Sequence, residues 1–147
     1  MLALRPHFRR ELERKLARAG YGSEEVAAAL DRLARMRLLD DVALARAFAD
    51  TVARRKGYGR MRIAQELARR GAPEAGIQAA LAGHSADEDL ERAREAARRF
   101  TARRAGDSEA LARHLHAKGF AKNAIFKVLK EMALAAAEGE AEPVAED

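Results

Sequence analysis

The sequence predicts an all-α protein of three tandem three-helix repeats, each opening with a helix-turn-helix-like pair, the third repeat incomplete. Two observations predict it. The first is a phrase written three times: Leu12, Leu16, Gly20, Val26, Leu30; Ile63, Leu67, Gly71, Ile77, Leu81; Leu111, Leu115, Gly119, Ile125, Leu129. Apolar residues four apart share a helix face, and a glycine four further on suits the left-handed residue that closes a helix, so each copy reads helix, stop, helix. The second is the apolar set Val42, Ala45, Ala49, Val52, which recurs 48 residues later as Leu90, Ala93, Ala97, Phe100 and adds a third helix to the unit. A period near 50 residues belongs to architectures built by stacking supersecondary units.

The elements follow in order. The first helix begins near Phe8 and runs to about Ala19. Ser23 can cap the second, with Glu24 and Glu25 complementing the positive end of its dipole. Asp40 can cap the third, which ends in Arg54, Arg55, Lys56 and Gly57. In the second repeat Pro73 sits where a first helical turn tolerates a missing amide. The third helix there opens at Ser85, with Glu88 three residues on, a capping box. In the third repeat Asp107 or Ser108 is the expected cap. After Leu134 the chain turns acidic, contains Pro143, and holds too little apolar material to pack another helix, which predicts disorder. The expected divisions are 1–57 and 58–106 for the first two repeats, 107–134 for the incomplete third, and 135–147 for an acidic tail.

Composition narrows function. Of 147 residues 48% are hydrophobic, yet only 5% are aromatic, so each unit has a thin core and must bury its neighbour's apolar face. There is no cysteine, hence no disulfide framework and no thiolate zinc site. Arg5, Arg9 and Arg10 fall where a signal peptide would need apolar residues, and no long apolar run occurs; a soluble cytoplasmic protein without membrane association is expected. The formal charge is +5, but Glu138, Glu140, Glu142, Glu146 and Asp147 occupy the last ten residues, so residues 1–137 carry +10. Such an excess favours a polyanionic partner.

The charges are clustered. Arg54, Arg55, Lys56, Arg60 and Arg62 surround Gly57-Tyr58-Gly59, and Arg98, Arg99, Arg103 and Arg104 close the corresponding helix of the next repeat; with Lys118 and Lys122 they form the expected basic binding surface. Recurrence at equivalent positions favours a function over a merely solvated face. Tyr58 could stack on a base, although a tyrosine in a linker more often packs. Gly57-Tyr58-Gly59 lacks the third glycine and the preceding strand of a phosphate loop and reads as a hinge. Major-groove base readout needs Arg, Asn or Gln converging on one face, and Gln65, Gln78 and Asn123 lie in different repeats. His114 and His116 point to different sides of a helix, His7 and His84 stand apart, and Ser23, Ser85 and Ser108 look like caps. Neither a metal, a cofactor nor catalysis is expected.

Several of these residues occur together in a known family. Glu11-Leu12, Lys15-Leu16 and Gly20-Tyr21; Leu39-Asp40-Asp41 with Ala45 and Phe48; Lys56-Gly57-Tyr58-Gly59-Arg60 with Ile63, Glu66-Leu67 and Arg70-Gly71; and Lys118-Gly119-Phe120 closely resemble the RecX family of recombinase regulators, over about Phe8 to Leu129. The resemblance implies an elongated, curved body, a monomer, that binds in the groove of the RecA filament on DNA. It also implies modulation, mostly inhibition, of RecA's ATPase and strand exchange in recombinational repair and the damage response, with weak, nonspecific binding to single- and double-stranded DNA. Only about seven residues precede the first repeat, and the acidic tail stands where a ninth helix would complete the third. The rival reading is a helical-repeat DNA-binding module or transcription regulator that acts without RecA.

Overall fold

In the computed structural model, residues 5–104 and 106–141 are described, and these form eight helices. They are α1 (Arg9–Arg18), α2 (Ser23–Arg35), α3 (Asp41–Lys56), α4 (Arg60–Arg70), α5 (Glu74–Ala82), α6 (Ala86–Arg103), α7 (Ser108–Ala117) and α8 (Lys122–Ala141). No strand occurs among the described residues. The fold is the predicted all-α series of three-helix repeats.

The three glycines of the repeated phrase close α1, α4 and α7 with one backbone device. Gly20, Gly71 and Gly119 have φ of 96°, 93° and 91°. In each case the amide after the glycine donates to the carbonyl five residues back: Tyr21 to Leu16 at 3.1 Å, Ala72 to Leu67 at 2.9 Å and Phe120 to Leu115 at 3.2 Å. The glycine amide itself reaches three residues back, to Ala17, Ala68 and His116. This double closure satisfies carbonyls that the helix end would orphan, and it needs a left-handed residue. The end of α2 has the same closure with Arg37 at φ 59°, a strained choice that costs on the order of 1 kcal/mol. Arg37 lies in the α2–α3 connection, five residues long against three in α5–α6, and α2 is itself four residues longer than α5.

The chain divides into two compact units, residues 1–56 with 63–85, and residues 57–62 with 86–147. In the first, Val26, Leu30 and Leu39 are buried with Leu12, Leu16 and Leu33 around them. Ala45, Ala49 and Val52 of α3 and Ile63 and Leu67 of α4 are buried as well. Helix α5 packs along α3, and the small residues explain how closely: a Cβ placed on Gly76 would lie 3.5 Å from the Ala45 Cβ. In the second unit Ala93, Ala97, Leu111, Leu115, Phe120, Ile125 and Val128 form the core, with Leu90 and Phe100 against it. Here α8 packs on α6 and α7. Packing therefore groups α3 with α5 and α6 with α8, a phase one helix earlier than the order in which the sequence repeat is first met.

Four local expectations are corrected. Ser23 is the first helical residue of α2, and Gly22 holds the cap position with no side-chain cap bond. Pro73 caps α5 rather than beginning it. Gly57-Tyr58-Gly59 is not a free hinge: the Gly59 amide donates to Lys118 O at 2.8 Å and Met61 to Gly119 O at 3.1 Å, tying the segment to the α7–α8 turn. Helix α8 continues to Ala141, into the segment where disorder was expected from Ala135, because Leu134 to Ala137 are strong helix formers that extend a helix already nucleated by packing. The rest of the expected tail, 142–147, lies outside the described residues. Asp40 and Asp107 cap as expected, accepting from Ala43 N at 3.1 Å and Ala110 N at 2.9 Å.

Candidate nucleic-acid and partner interface

The expected binding residues separate into three groups by what their side chains touch. Arg54, Arg55 and Lys56 are exposed in the last turn of α3, and Arg103 and Arg104 are exposed at the end of α6. These turns carry the negative end of the helix dipole, so cations are stabilised there with no acidic partner required. Arg54, Arg55 and Arg103 make no ion pair among the described residues, while the Arg104 guanidinium rests over the Phe100 ring at 5.6 Å. Lys122, the first residue of α8, is exposed too.

The second group is exposed but paired. Arg98 pairs with Glu95 at 2.8 Å, and Arg99 Nε pairs with the other oxygen of the same carboxylate at 3.1 Å. The Glu95 carboxyl is held below its ordinary range, chiefly by the hydrogen bond from Arg98 and the charge behind it, with Arg99 contributing further. A phosphate approaching here must displace Glu95 from two guanidinium groups.

In the third group the Arg62 and Lys118 side chains pack within the second unit, and Arg60 contributes its backbone amide. Arg60, Arg62 and Lys118 are all half-buried. The Arg62 guanidinium donates to Ala117 O at 3.0 Å and lies 4.6 Å from the centre of the Tyr58 ring, with the Lys118 ammonium 5.8 Å from the same ring. Tyr58 thus packs against two cations. Lys118 precedes Gly119 just as Arg70 precedes Gly71, and Arg70 performs the same task in the first unit. Its guanidinium lies 5.2 Å from the Phe8 ring and 5.0 Å from Phe48, and it donates to Pro6 O at 3.1 Å and Glu11 Oε1 at 3.3 Å. Phe8 is fully buried under it. Burial raises the Glu11 pKa, but the hydrogen bond from the Phe8 amide and the charges of Arg70 and Arg5 outweigh it and leave Glu11 below its ordinary value.

One repeated device escaped the sequence reading. Phe8 and Gly59, which precede α1 and α4, have no side-chain oxygen to offer a helix start. The α1 start is capped instead from α3, where Asp41 Oδ1 accepts from Arg9 N at 2.9 Å; the α4 start is capped from α6, where Asp89 Oδ1 accepts from Arg60 N at 3.0 Å. Asp89 is 4% exposed and also holds Arg92 at 2.8 Å. No further helix among the described residues could serve α7, and α7 has its own Asp107. The signal was present: Asp41 and Asp89 are 48 residues apart, each directly before the first residue of its helix's repeated apolar set, Val42 or Leu90.

No group of three His, Asp or Glu side chains that could hold a metal ion occurs among the described residues. His114 is half-buried with its ring 4.9 Å from Phe100; burial first, and the charge of Lys118 second, push its pKa down. No described helix is long and apolar enough to cross a membrane.

Together these features define a basic helical-repeat protein whose cations fall into two sets, some packed within the repeat and others exposed at helix ends. Comparisons with known proteins give that class a family. The family model "RecX, first three-helix domain" matches residues 1–33, and "RecX, second three-helix domain" matches 40–81, which takes in α3, α4 and most of α5. A regulatory protein RecX of Chromobacterium violaceum is 36% identical over 88% of this chain and 84% of its own length. One from Chlorobaculum tepidum is 43% identical over 56% of this chain and 52% of its own, so the chain spans about half the length of several curated relatives it matches. The crystal structure of RecX from Lactobacillus salivarius superposes with a TM-score of 0.80 at 20% identity, covering 90% of each chain, and shows the same fold. The chain belongs to the RecX family.

Proposed function

We propose that the chain binds the RecA filament on DNA and modulates, mostly inhibits, RecA's ATP hydrolysis and strand exchange without itself catalysing a reaction, as a cytoplasmic monomer. The observation that carries this reading is membership of a family of regulatory proteins, joined to exposed cations at the ends of α3 and α6. Arg54, Arg55, Lys56, Arg103, Arg104 and Lys122 are the residues placed to meet an anionic surface. Arg98 and Arg99 can join them only by releasing Glu95. Arg60, Arg62 and Lys118 contribute by shaping the unit that presents the others. Repetition suits a filament, because weak contacts to successive equivalent subunits act as a multivalent set.

The test is RecA's single-stranded-DNA-dependent ATPase, titrated with purified protein. Hydrolysis is expected to fall at or below one molecule per RecA. No effect at excess, together with tight binding to naked duplex whose log affinity falls with log salt at about −0.9 per phosphate contacted, would favour the RecA-independent DNA-binding module instead.

A further inference from the structure

Helix α8 carries an outward face that nothing in the fold consumes. Lys122, Phe126, Lys130 and Leu134 follow one another at intervals of four and form a stripe, with Asn123 and Lys127 beside it. All six are exposed. Phe126 is 69% exposed, whereas its neighbours Ile125 and Val128 are buried in the second unit's core. Between Lys122 and Leu134 the helix has one acid, Glu131, and it is turned away from this face toward α6, where both its oxygens take hydrogen bonds from Arg94 at 2.8 and 2.9 Å. That pairing, above all, holds the Glu131 carboxyl below its ordinary value, and Lys127 adds to the effect. Lys122 and Lys130 make no ion pair among the described residues. The first turn of α8 also contains no acid, so the positive end of a 20-residue helix dipole adds to the lysines.

We infer that this face of α8 is a direct single-stranded nucleic-acid site, in which Phe126 stacks on an unpaired base while Lys122, Lys127 and Lys130 contact the flanking phosphates. An exposed aromatic ring inside a field of one sign is the minimal form of a stacking platform in a cationic track, and it is sequence-tolerant because every base has a π face. Charge excludes a second copy of the same face, since three lysines would meet three. A lipid surface needs a broader apolar strip than Phe126 and Leu134, separated along the stripe by Lys130, provide. A duplex offers its phosphates but keeps its bases stacked away from the ring. The inference requires a nucleic-acid partner and does not depend on RecA, so it stands or falls separately from the filament reading.

The experiment is fluorescence anisotropy of the full chain with a labelled oligothymidine and with a duplex of equal length, in the absence of RecA. Phe126→Ala is expected to weaken single-strand binding by roughly five- to a hundredfold, the range of one lost base stack, and to leave duplex binding nearly unchanged. Phe126→Trp should restore it. Exchanging Lys122, Lys127 and Lys130 for Gln should weaken both ligands and shallow the single-strand salt slope by about 0.7 per phosphate contact removed. Circular dichroism should be identical throughout, because Phe126 lies outside the core. An unchanged single-strand affinity in Phe126→Ala, an equal loss on both ligands, no single-strand binding by the wild-type chain, or Phe126-dependent binding to anionic vesicles with no effect on the oligonucleotide would each overturn the inference. RecA ATPase inhibition measured on Phe126→Ala, which leaves every cation of the filament reading in place, reports on that reading independently.

Discussion

Glycines of the same type and backbone angle have unequal neighbours in this chain. A Cβ on Gly20 would meet nothing within 4 Å, whereas one on Gly119 would run into the backbone and Cβ of Arg62. Both would place a side chain in the left-handed region, where an ordinary residue costs about 1 kcal/mol. Gly20→Ala is therefore expected to lose only that, and Gly119→Ala roughly 2 kcal/mol or more once the steric displacement is added. Urea midpoints compare the two; equal losses would mean that the first turn of α4 does not rest on the α7–α8 turn. The repeated phrase discloses that a glycine is required at both positions, through helix closure alone. It is silent on the second requirement, because the contact joins residues 57 positions apart.

The helix starts offer the matching test for elements. Asp89 is buried and serves both the Arg60 amide and the Arg92 guanidinium, while Asp41 is half-buried and caps Arg9 N–H. Removing a cap costs about 1 kcal/mol, and leaving a buried donor unsatisfied costs about 1–3 more. Asp41→Ala is expected near the lower figure and Asp89→Ala near 3 kcal/mol in chemical denaturation, with Asp89→Asn recovering part of the loss because an amide oxygen still accepts. Comparable, small losses at both would show that Asp89 is not the buried hub of its unit. Helix existence and order, and the starts capped by Asp40 and Asp107, were legible here because apolar spacing and local caps act within a turn. Which carboxylate caps α1 or α4 was not, since the acceptor arrives from a helix some 30 residues away. The length of α8 was misjudged for a related reason. The absence of core residues after Leu134 says that nothing packs there, but alanine-rich sequence propagates a helix without packing once it has been started.

For the whole molecule the question is which cations face outward. Changing Arg55, Lys56, Arg103 and Arg104 together to Glu is expected to weaken RecA-filament binding and raise the concentration needed to inhibit the ATPase, with helical circular dichroism unchanged, because all four side chains are exposed. Undiminished inhibition would place the interface elsewhere. The sequence by itself determined the all-α class, the three copies of the unit, the glycine closures and the positive balance of the body, since all of these rest on interactions within a few residues or on composition. Sorting the charges was decided only by tertiary structure. Arg54 and Arg62 are alike on paper, yet one is an exposed cation at a helix end and the other is spent on Ala117 O and the Tyr58 ring. Lys118 precedes Gly119 as Arg70 precedes Gly71, and its ammonium lies 5.8 Å from the Tyr58 ring as the Arg70 guanidinium lies 5.2 Å from Phe8. Whether a guanidinium is free to meet a phosphate depends on which carbonyls, carboxylates and rings the fold brings within reach, and those partners come from distant parts of the chain.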